Sequence, residues 1–289
     1  MLSALIKTMR PRQWTKNVFI FAALVFDKQL FVVESFTRTL AGVILFCLIS
    51  SCVYILNDIV DVEADRQHPE KKNRPIPSGK LPISVAWISL IAFVVFVFVS
   101  AYFLDVQFMW VVIAYFVMNI AYSLWLKHIH ILDVLIIAAG FVLRVHAGVT
   151  LIEVERFSPW LYVLMTLLSL FLGFGKRRAE LSLLAHGAGS HRKVLDGYTL
   201  PLLDQYIMIV SGTTIVAYAL YTFSAPNLPE NHSMMLTIPF VVYAIFRYLY
   251  LIHVENAGGT PEEILLSDRP FQISMTMWAI SVIAVFYLS

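Results

Sequence analysis

The residues best equipped for chemistry stand together in the run Asn57-Asp58-Ile59-Val60-Asp61-Val62-Glu63-Ala64-Asp65. At helical spacing Asn57, Asp61 and Asp65 fall at i, i+4 and i+8, with Asp58 three residues before Asp61. One face then presents an amide and three carboxylates within about two turns. Like charges so placed repel, and at the C-terminal end of a helix the macrodipole opposes them further. Such a cluster is costly unless a cation resides in it. Oxygen-only ligands, without His or Cys, suit a hard divalent ion, Mg²⁺ first, so Asn57, Asp58, Asp61 and Asp65 are the expected metal ligands. The next residues, His68-Pro69-Glu70-Lys71-Lys72-Asn73-Arg74-Pro75-Ile76-Pro77-Ser78-Gly79, read as a turn-rich loop. Lys71 and Arg74 beside a carboxylate-bound metal make a clamp for pyrophosphate. The metal bridges phosphate oxygens, the guanidinium supplies a planar fork and the ammonium a point charge. Asp58, Asp61, Lys71 and Arg74 are therefore the expected catalytic set. A P-loop is excluded, because no Gly-rich turn ending in GK[ST] is present.

Further polar islands accompany this motif. Tyr122, Ser123, Lys127 and Asp133 bracket one turn. Gly175-Lys176-Arg177-Arg178-Ala179-Glu180 is expected to open a loop that continues through His191-Arg192-Lys193 to Asp196, Tyr198 and Asp204. Arg178 can serve as a topology anchor alone, and Arg247, near the end of an apolar run, can snorkel. Arg144 is different: it lies well inside an apolar run, where a charge is expensive and points to a functional site whose partner is a phosphate or a carboxylate, with a buried structural ion pair as the alternative. His146 and the tryptophans Trp110, Trp160 and Trp278 read as packing or interface residues.

The elements that position these groups are membrane helices. Of 289 residues, 59% are hydrophobic and only 14% charged, with mean hydropathy +0.77. Soluble domains carry roughly a quarter charged residues. The composition excludes a soluble enzyme, a disordered chain and a nucleic-acid binder, and the net charge of +2 advertises no anionic polymer as partner. Apolar runs at 17–33, 39–57, 84–104, 108–126, 131–152, 160–175, 205–223, 234–253 and 271–288 predict about nine spans of about 20 residues, one polytopic all-α domain over 1–289. The stretch 1–7 is too short for a signal peptide. Cys47 and Cys52 have neither a disulfide framework nor metal-site spacing. One set of loops holds Lys7, Arg10, Arg12, Lys16, Arg66, Lys71, Lys72, Arg74, Lys80, Lys127, Lys176, Arg177, Arg178, Arg192, Lys193 and Arg269; the opposite set holds Lys28, Arg38 and Arg156. The positive-inside rule then places the N-terminus and the acidic cluster in the cytoplasm and, with nine spans, the C-terminus outside.

On these residues the chain resembles the UbiA superfamily of intramembrane prenyltransferases. The resemblance rests on the span pattern, on the NDxxDxxxD motif at Asn57, Asp58, Asp61 and Asp65, and on the RPxxxG continuation at Arg74, Pro75 and Gly79. It implies helices around a central cavity open to the cytoplasm, with Mg²⁺-diphosphate bound at two facing Asp-rich motifs. The second acidic motif is missing here. Its place is taken by Lys176-Arg177-Arg178-Ala179-Glu180-Leu181 and Arg192-Lys193-Val194-Leu195-Asp196-Gly197-Tyr198, and Asp196 and Asp204 do not restore it. A site with one acidic and one basic half suits a donor carrying a second, separate phosphate, or an anionic acceptor. The runs Arg10-Pro11-Arg12-Gln13-Trp14-Thr15-Lys16-Asn17 and His68-Pro69-Glu70-Lys71, with Tyr122-Ser123, Leu126-Lys127, Asp133 and Arg144, are similar to the decaprenyl-phosphate phosphoribosyltransferase branch. That branch moves 5-phosphoribose from phosphoribosyl pyrophosphate to a polyprenyl phosphate in the bacterial cell membrane, for cell-wall precursors. The resemblance implies donor-phosphate contacts at Lys71, Arg74, Lys127, Lys176 and Arg177, and lipid-phosphate contacts at Lys16, Asn17 and Arg144. Asn57, Tyr122, Asp133, Arg192, Lys193 and Tyr198 complete the expected substrate-binding set.

Two competing readings share part of the pattern. A prenyltransferase acting on an aromatic or isoprenoid acceptor would use the same first motif. A transporter should show broken helices with polar residues near the midplane, whereas here the polar groups crowd one face.

Overall fold

Every element among the described residues is helical, and the order follows the apolar runs. The computed structural model describes residues 1–68, 71–153, 158–185, 193–226, 228–255, 264 and 267–288. The α-helices are α1 Leu2–Met9, α2 Ala22–Phe26, α3 Val33–Val60, α4 Val62–Gln67, α5 Ile83–Leu104, α6 Val106–Leu124, α7 Leu132–Val149, α8 Trp160–Ala185, α9 Leu200–Ser224, α10 Ile238–His253 and α11 Arg269–Leu288. Among the described residues eight helical segments are long and apolar enough to cross a membrane, so the chain is a multi-pass membrane protein. The expected first span, 17–33, is not one of them. Its place is taken by a 3-10 helix, Pro11–Phe21, that runs into the short α2. A second correction concerns α8, which continues past 175 to Ala185, so Lys176, Arg177 and Arg178 lie on a helix and not in a loop. Lys, Arg, Ala, Glu and Leu are all good helix formers, and nothing from Gly175 to Ala185 breaks the turn.

The chain gathers into two compact units. The first comprises Met1–Leu24, Gln29–Leu124 and Leu143–Glu153. α3 is its most enclosed helix, 56% buried over its most apolar stretch, whereas α5 is 17% buried and presents its side chains to lipid. The 3-10 helix lies along α3. In a 3-10 helix residues three apart eclipse one another, which puts Trp14, Asn17 and Ile20 in one row. That row is the contact: Trp14 Nε1 donates to Ser51 Oγ at 3.0 Å, Asn17 is fully buried against Cys47 and Ser50, and Ile20 is fully buried. α7 closes on the same segment at Gly148, where a Cβ would collide with the Ile20 carbonyl oxygen. Apolar burial gives little drive between helices already in lipid, so close backbone approach of this kind carries the association. The loop between α4 and α5 is pinned by Ile76 and Leu81, 1% and 0% exposed, and turns at Gly79, whose φ of +76° favours glycine.

The second unit comprises Val25–Lys28, Trp125–Val142 and Val154–Ser289. α8 packs along α9, and α10 along α11. Thr199 caps α9 by accepting from the Leu202 amide, and Asp268 caps α11 by accepting from Phe271 N at 2.8 Å. Asp268 also takes a fork from Arg247 on α10, at 3.2 and 2.7 Å, which ties the two helices at one end and replaces the expected snorkel.

Candidate active site

In the first unit α3 ends at Val60 and α4 starts at Val62, with Asp61 at the joint (φ −89°, ψ 8°). Helical bonding carries through it, Asp61 N to Asn57 O at 2.9 Å and Asp65 N to Asp61 O at 2.8 Å. Two carboxylates of the expected Asn57–Asp58–Asp61–Asp65 set converge. Asp58 and Asp65, 2% and 3% exposed, meet on one guanidinium nitrogen: Arg74 Nη1 lies 3.2 Å from Asp58 Oδ1 and 2.6 Å from Asp65 Oδ2. Seven residues are nearly two full turns, so i and i+7 share a side of a helix. That relation was readable in the motif. Lys71 Nζ stands 4.0 Å from Asp65 Oδ1, and Asp61 is half-buried.

Sequence reasoning missed Arg10 as a member of this cluster and read it as one of the basic residues ahead of the first span. Its Nη2 donates to Asp58 Oδ1 at 2.6 Å, and its guanidinium lies 4.8 Å from the centre of the Tyr54 ring. Arg10 also adopts a left-handed backbone (φ 53°, ψ 62°) between α1 and the 3-10 helix. That conformation costs a non-glycine residue about 1 kcal/mol, which the charge-assisted bond to a buried carboxylate offsets.

Arg144, Asn17 and Tyr115 form a second cluster in the same unit. Arg144 is 7% exposed; its Nε donates to Asn17 Oδ1 at 2.9 Å and its Nη2 to Tyr115 Oη at 2.8 Å. The guanidinium also lies over the rings of Tyr115 and Phe46, 4.9 and 5.7 Å from their centres. Asn17 and Arg144, both singled out from sequence, thus touch across 127 residues of chain.

In the second unit the expected substrate contacts Asp133, Arg177 and Tyr198 hold each other. Arg177, 2% exposed, donates from Nε to Asp133 Oδ2 at 2.7 Å and from Nη1 to Glu180 Oε2 at 2.7 Å. Tyr198 Oη donates to Asp133 Oδ1 at 2.9 Å and accepts from Ile131 N at 2.6 Å. Burial, first of all, pushes the Tyr198 phenol up to about 12, so it remains a donor to Asp133. Two of the Arg177 donors are thus held by a buried carboxylate and by Glu180. Arg178 reaches Asp204 Oδ1 on α9 at 2.5 Å and Ile252 O on α10 at 3.0 Å, which ties α8 to both helices. Lys16, Tyr122, Lys127 and Lys176 are half-buried. Arg192 lies outside the described residues, and Lys193 is described only in its backbone, at the start of a 3-10 turn to Gly197.

Among the described residues no three His, Cys, Asp or Glu side chains converge at metal-binding distance. The donor set at the first cluster nevertheless fits Mg²⁺. Asn57 Oδ1 is a buried oxygen with no hydrogen-bond partner, beside Asp58 in sequence. Asp58 and Asp65 already bracket a cationic nitrogen. All available ligand atoms are oxygens, the choice of a hard divalent ion.

Comparison with known proteins agrees with the geometry. Residues 18–261 match the UbiA prenyltransferase family. The decaprenyl-phosphate phosphoribosyltransferase of Mycolicibacterium smegmatis is 34% identical, over 100% of this chain and 94% of its own. That of Corynebacterium glutamicum is 31% identical over 98% of this chain and 87% of its own. Among solved structures, a UbiA homolog from Archaeoglobus fulgidus bound to GPP and Mg²⁺ has a TM-score of 0.74 at 18% identity, covering 98% of this chain and 99% of that one. An aspartate motif at the end of a long apolar helix, the all-helical architecture and a family match over most of the length lead to one conclusion: this chain belongs to the UbiA prenyltransferase family.

Proposed function

We propose that this protein transfers 5-phosphoribose from phosphoribosyl pyrophosphate to a polyprenyl phosphate and releases pyrophosphate, with Mg²⁺, at the cytoplasmic face of a bacterial cell membrane. The observation that carries the reading is the near-full-length similarity, at 31% identity or more, to relatives named for that reaction. The acidic cluster supports it from the chemistry of its own residues. Asn57, Asp58, Asp61 and Asp65 would hold the metal, which supplies neutralisation of the departing pyrophosphate. Arg74 and Lys71, already paired with these carboxylates, carry the additional charge that holds the pyrophosphate oxygens. Substitution at the anomeric carbon breaks its bond to pyrophosphate and forms one to an oxygen of the acceptor phosphate. The acceptor is ionised at neutral pH, so no general base is required, consistent with a motif that offers none besides its metal-binding acids. Cytoplasmic access rests on the excess of Lys and Arg on that set of loops.

Incubation with labelled phosphoribosyl pyrophosphate and polyprenyl phosphate, in parallel with a labelled prenyl diphosphate and an aromatic acceptor, tests the assignment. Label passing from the first donor into lipid supports it. Consumption of the prenyl diphosphate alone would make the protein an ordinary prenyltransferase of the family and overturn the donor.

A further inference from the structure

The first unit contains a pocket of about 490 Å³, lined by Met1, Ser3, Ala4, Lys7, Asn73, Pro75 and Lys80. None of the acidic-cluster side chains lines it. Its size is that of a small-molecule site, and its two charged lining residues, Lys7 and Lys80, are both cations on exposed stems.

Its wall explains where it sits. On α1, Ser3 and Lys7 lie at i and i+4 and face the pocket, while Leu2 and Ile6 form the adjacent i, i+4 stripe. That stripe is exposed, Leu2 72% and Ile6 47%, with Met1 at 76%. The remaining side is anchored, since Thr8 and Met9 are buried and α1 packs on α3. Lys80 comes three residues before α5, whose apolar run is the chain's most hydrophobic span. The pocket therefore sits where an apolar stripe meets a polar one at the end of a membrane helix, the level at which interfacial helices lie and lysines meet lipid phosphates.

We propose that this pocket binds the headgroup of an anionic phospholipid of the surrounding bilayer. Lys7 and Lys80 take the phosphodiester, the Ser3 hydroxyl and Asn73 amide are donors for headgroup oxygens, and Leu2 and Ile6 lie along the acyl chains. Two cations without a carboxylate in the lining favour an anionic over a zwitterionic headgroup. The exposed apolar stripe favours a lipid over free phosphate, because only a lipid covers it. The inference does not depend on the identity of the transferred group.

Native mass spectrometry of the full chain released from nanodiscs tests this. The probes are phosphatidylglycerol and phosphatidylcholine, with inorganic phosphate and a polyprenyl phosphate as competitors. Phosphatidylglycerol should be retained in preference to phosphatidylcholine. The Lys7→Gln/Lys80→Gln double variant should lose that retention by roughly thirtyfold, and Lys7→Arg/Lys80→Arg should keep it. Both positions are exposed, so the variants should melt with the parent, which separates lost binding from lost folding. Equal retention of the two lipids, unchanged retention in the Gln variant, or displacement by inorganic phosphate would each overturn the proposal. Displacement by polyprenyl phosphate would do so too, by making the pocket an acceptor site.

Discussion

Replacing Arg177 by alanine should damage the fold before it damages substrate binding. Arg177 is 2% exposed and Asp133 fully buried, joined at 2.7 Å, with Tyr198 on the other carboxylate oxygen. Removal of the guanidinium leaves a buried carboxylate with a phenol as its neighbour, and breaking a buried pair from one side costs about 3–5 kcal/mol. Glu180 is 25% exposed and regains water, so its lost contact adds little. At the usual scaling for chains of this size, the melting temperature should fall on the order of 10 °C. The assay is thermal unfolding of the detergent-purified protein by scanning fluorimetry, with calorimetric binding of phosphoribosyl pyrophosphate measured well below the transition. Asp133→Ala/Arg177→Ala should cost clearly less than the sum of the two single changes, because the double variant buries no orphaned charge. An Arg177→Ala protein that melts with the parent and loses only donor affinity would refute the argument and return Arg177 to the substrate.

Four other outcomes follow from the same geometry. Asp58→Ala or Asp61→Ala should abolish turnover while membrane insertion persists, and EDTA should act likewise; full activity under both treatments would remove the metal from the mechanism. Gly79→Ala should cost about 1 kcal/mol of stability, because the left-handed backbone penalises a Cβ although nothing lies within 4 Å of it; an unchanged melt would contradict this. A reporter inserted within 185–190 should read as cytoplasmic, and an external reading would invert the proposed orientation. The Arg247 fork holds the Asp268 carboxyl below its ordinary range. Its contribution is complete above the unfolded value of about 4 and fades as pH falls through the lower folded one. Asp268→Asn should therefore flatten that acid limb in a pH series of melting temperatures.

The chemistry was more legible in the sequence than the pairings. Asn57-Asp58-Ile59-Val60-Asp61 marks a candidate cation site because like charges on successive turns favour one, and Arg144 stands out by the cost of a charge in lipid. What spacing along one element cannot convey is which partner another element brings. Asp133 and Arg177 are 44 residues apart and each reads as a substrate contact, with no sign in the sequence that the fold buries them against one another. Arg10 and Asp58 are 48 apart, and only the lie of the 3-10 helix on α3 joins them. The shortfall in spans has a local cause. The apolar part of 17–33 is preceded by Trp14 and Asn17, whose spacing of three suits a 3-10 row on α3 and commits the segment to packing on protein.

The pitch of that 3-10 helix bears on how the acidic cluster is held. Running antiparallel to α3, Asn17 meets Cys47 and Ser50, Trp14 meets Ser51, and Arg10 meets Tyr54 and Asp58. From Ser50 to Asp58 an α-helix advances about 12 Å at 1.5 Å per residue. The seven steps from Asn17 back to Arg10 advance about 14 Å at the 3-10 rise of 2.0 Å, but only about 10 Å if wound as an α-helix. The longer rise of the 3-10 winding covers the distance to Asp58, which an α-helical winding of the same residues would not. Rewound to α, the segment would come up short by about 2 Å, which would draw Arg10 off Asp58 while Asn17 stayed seated on its partners.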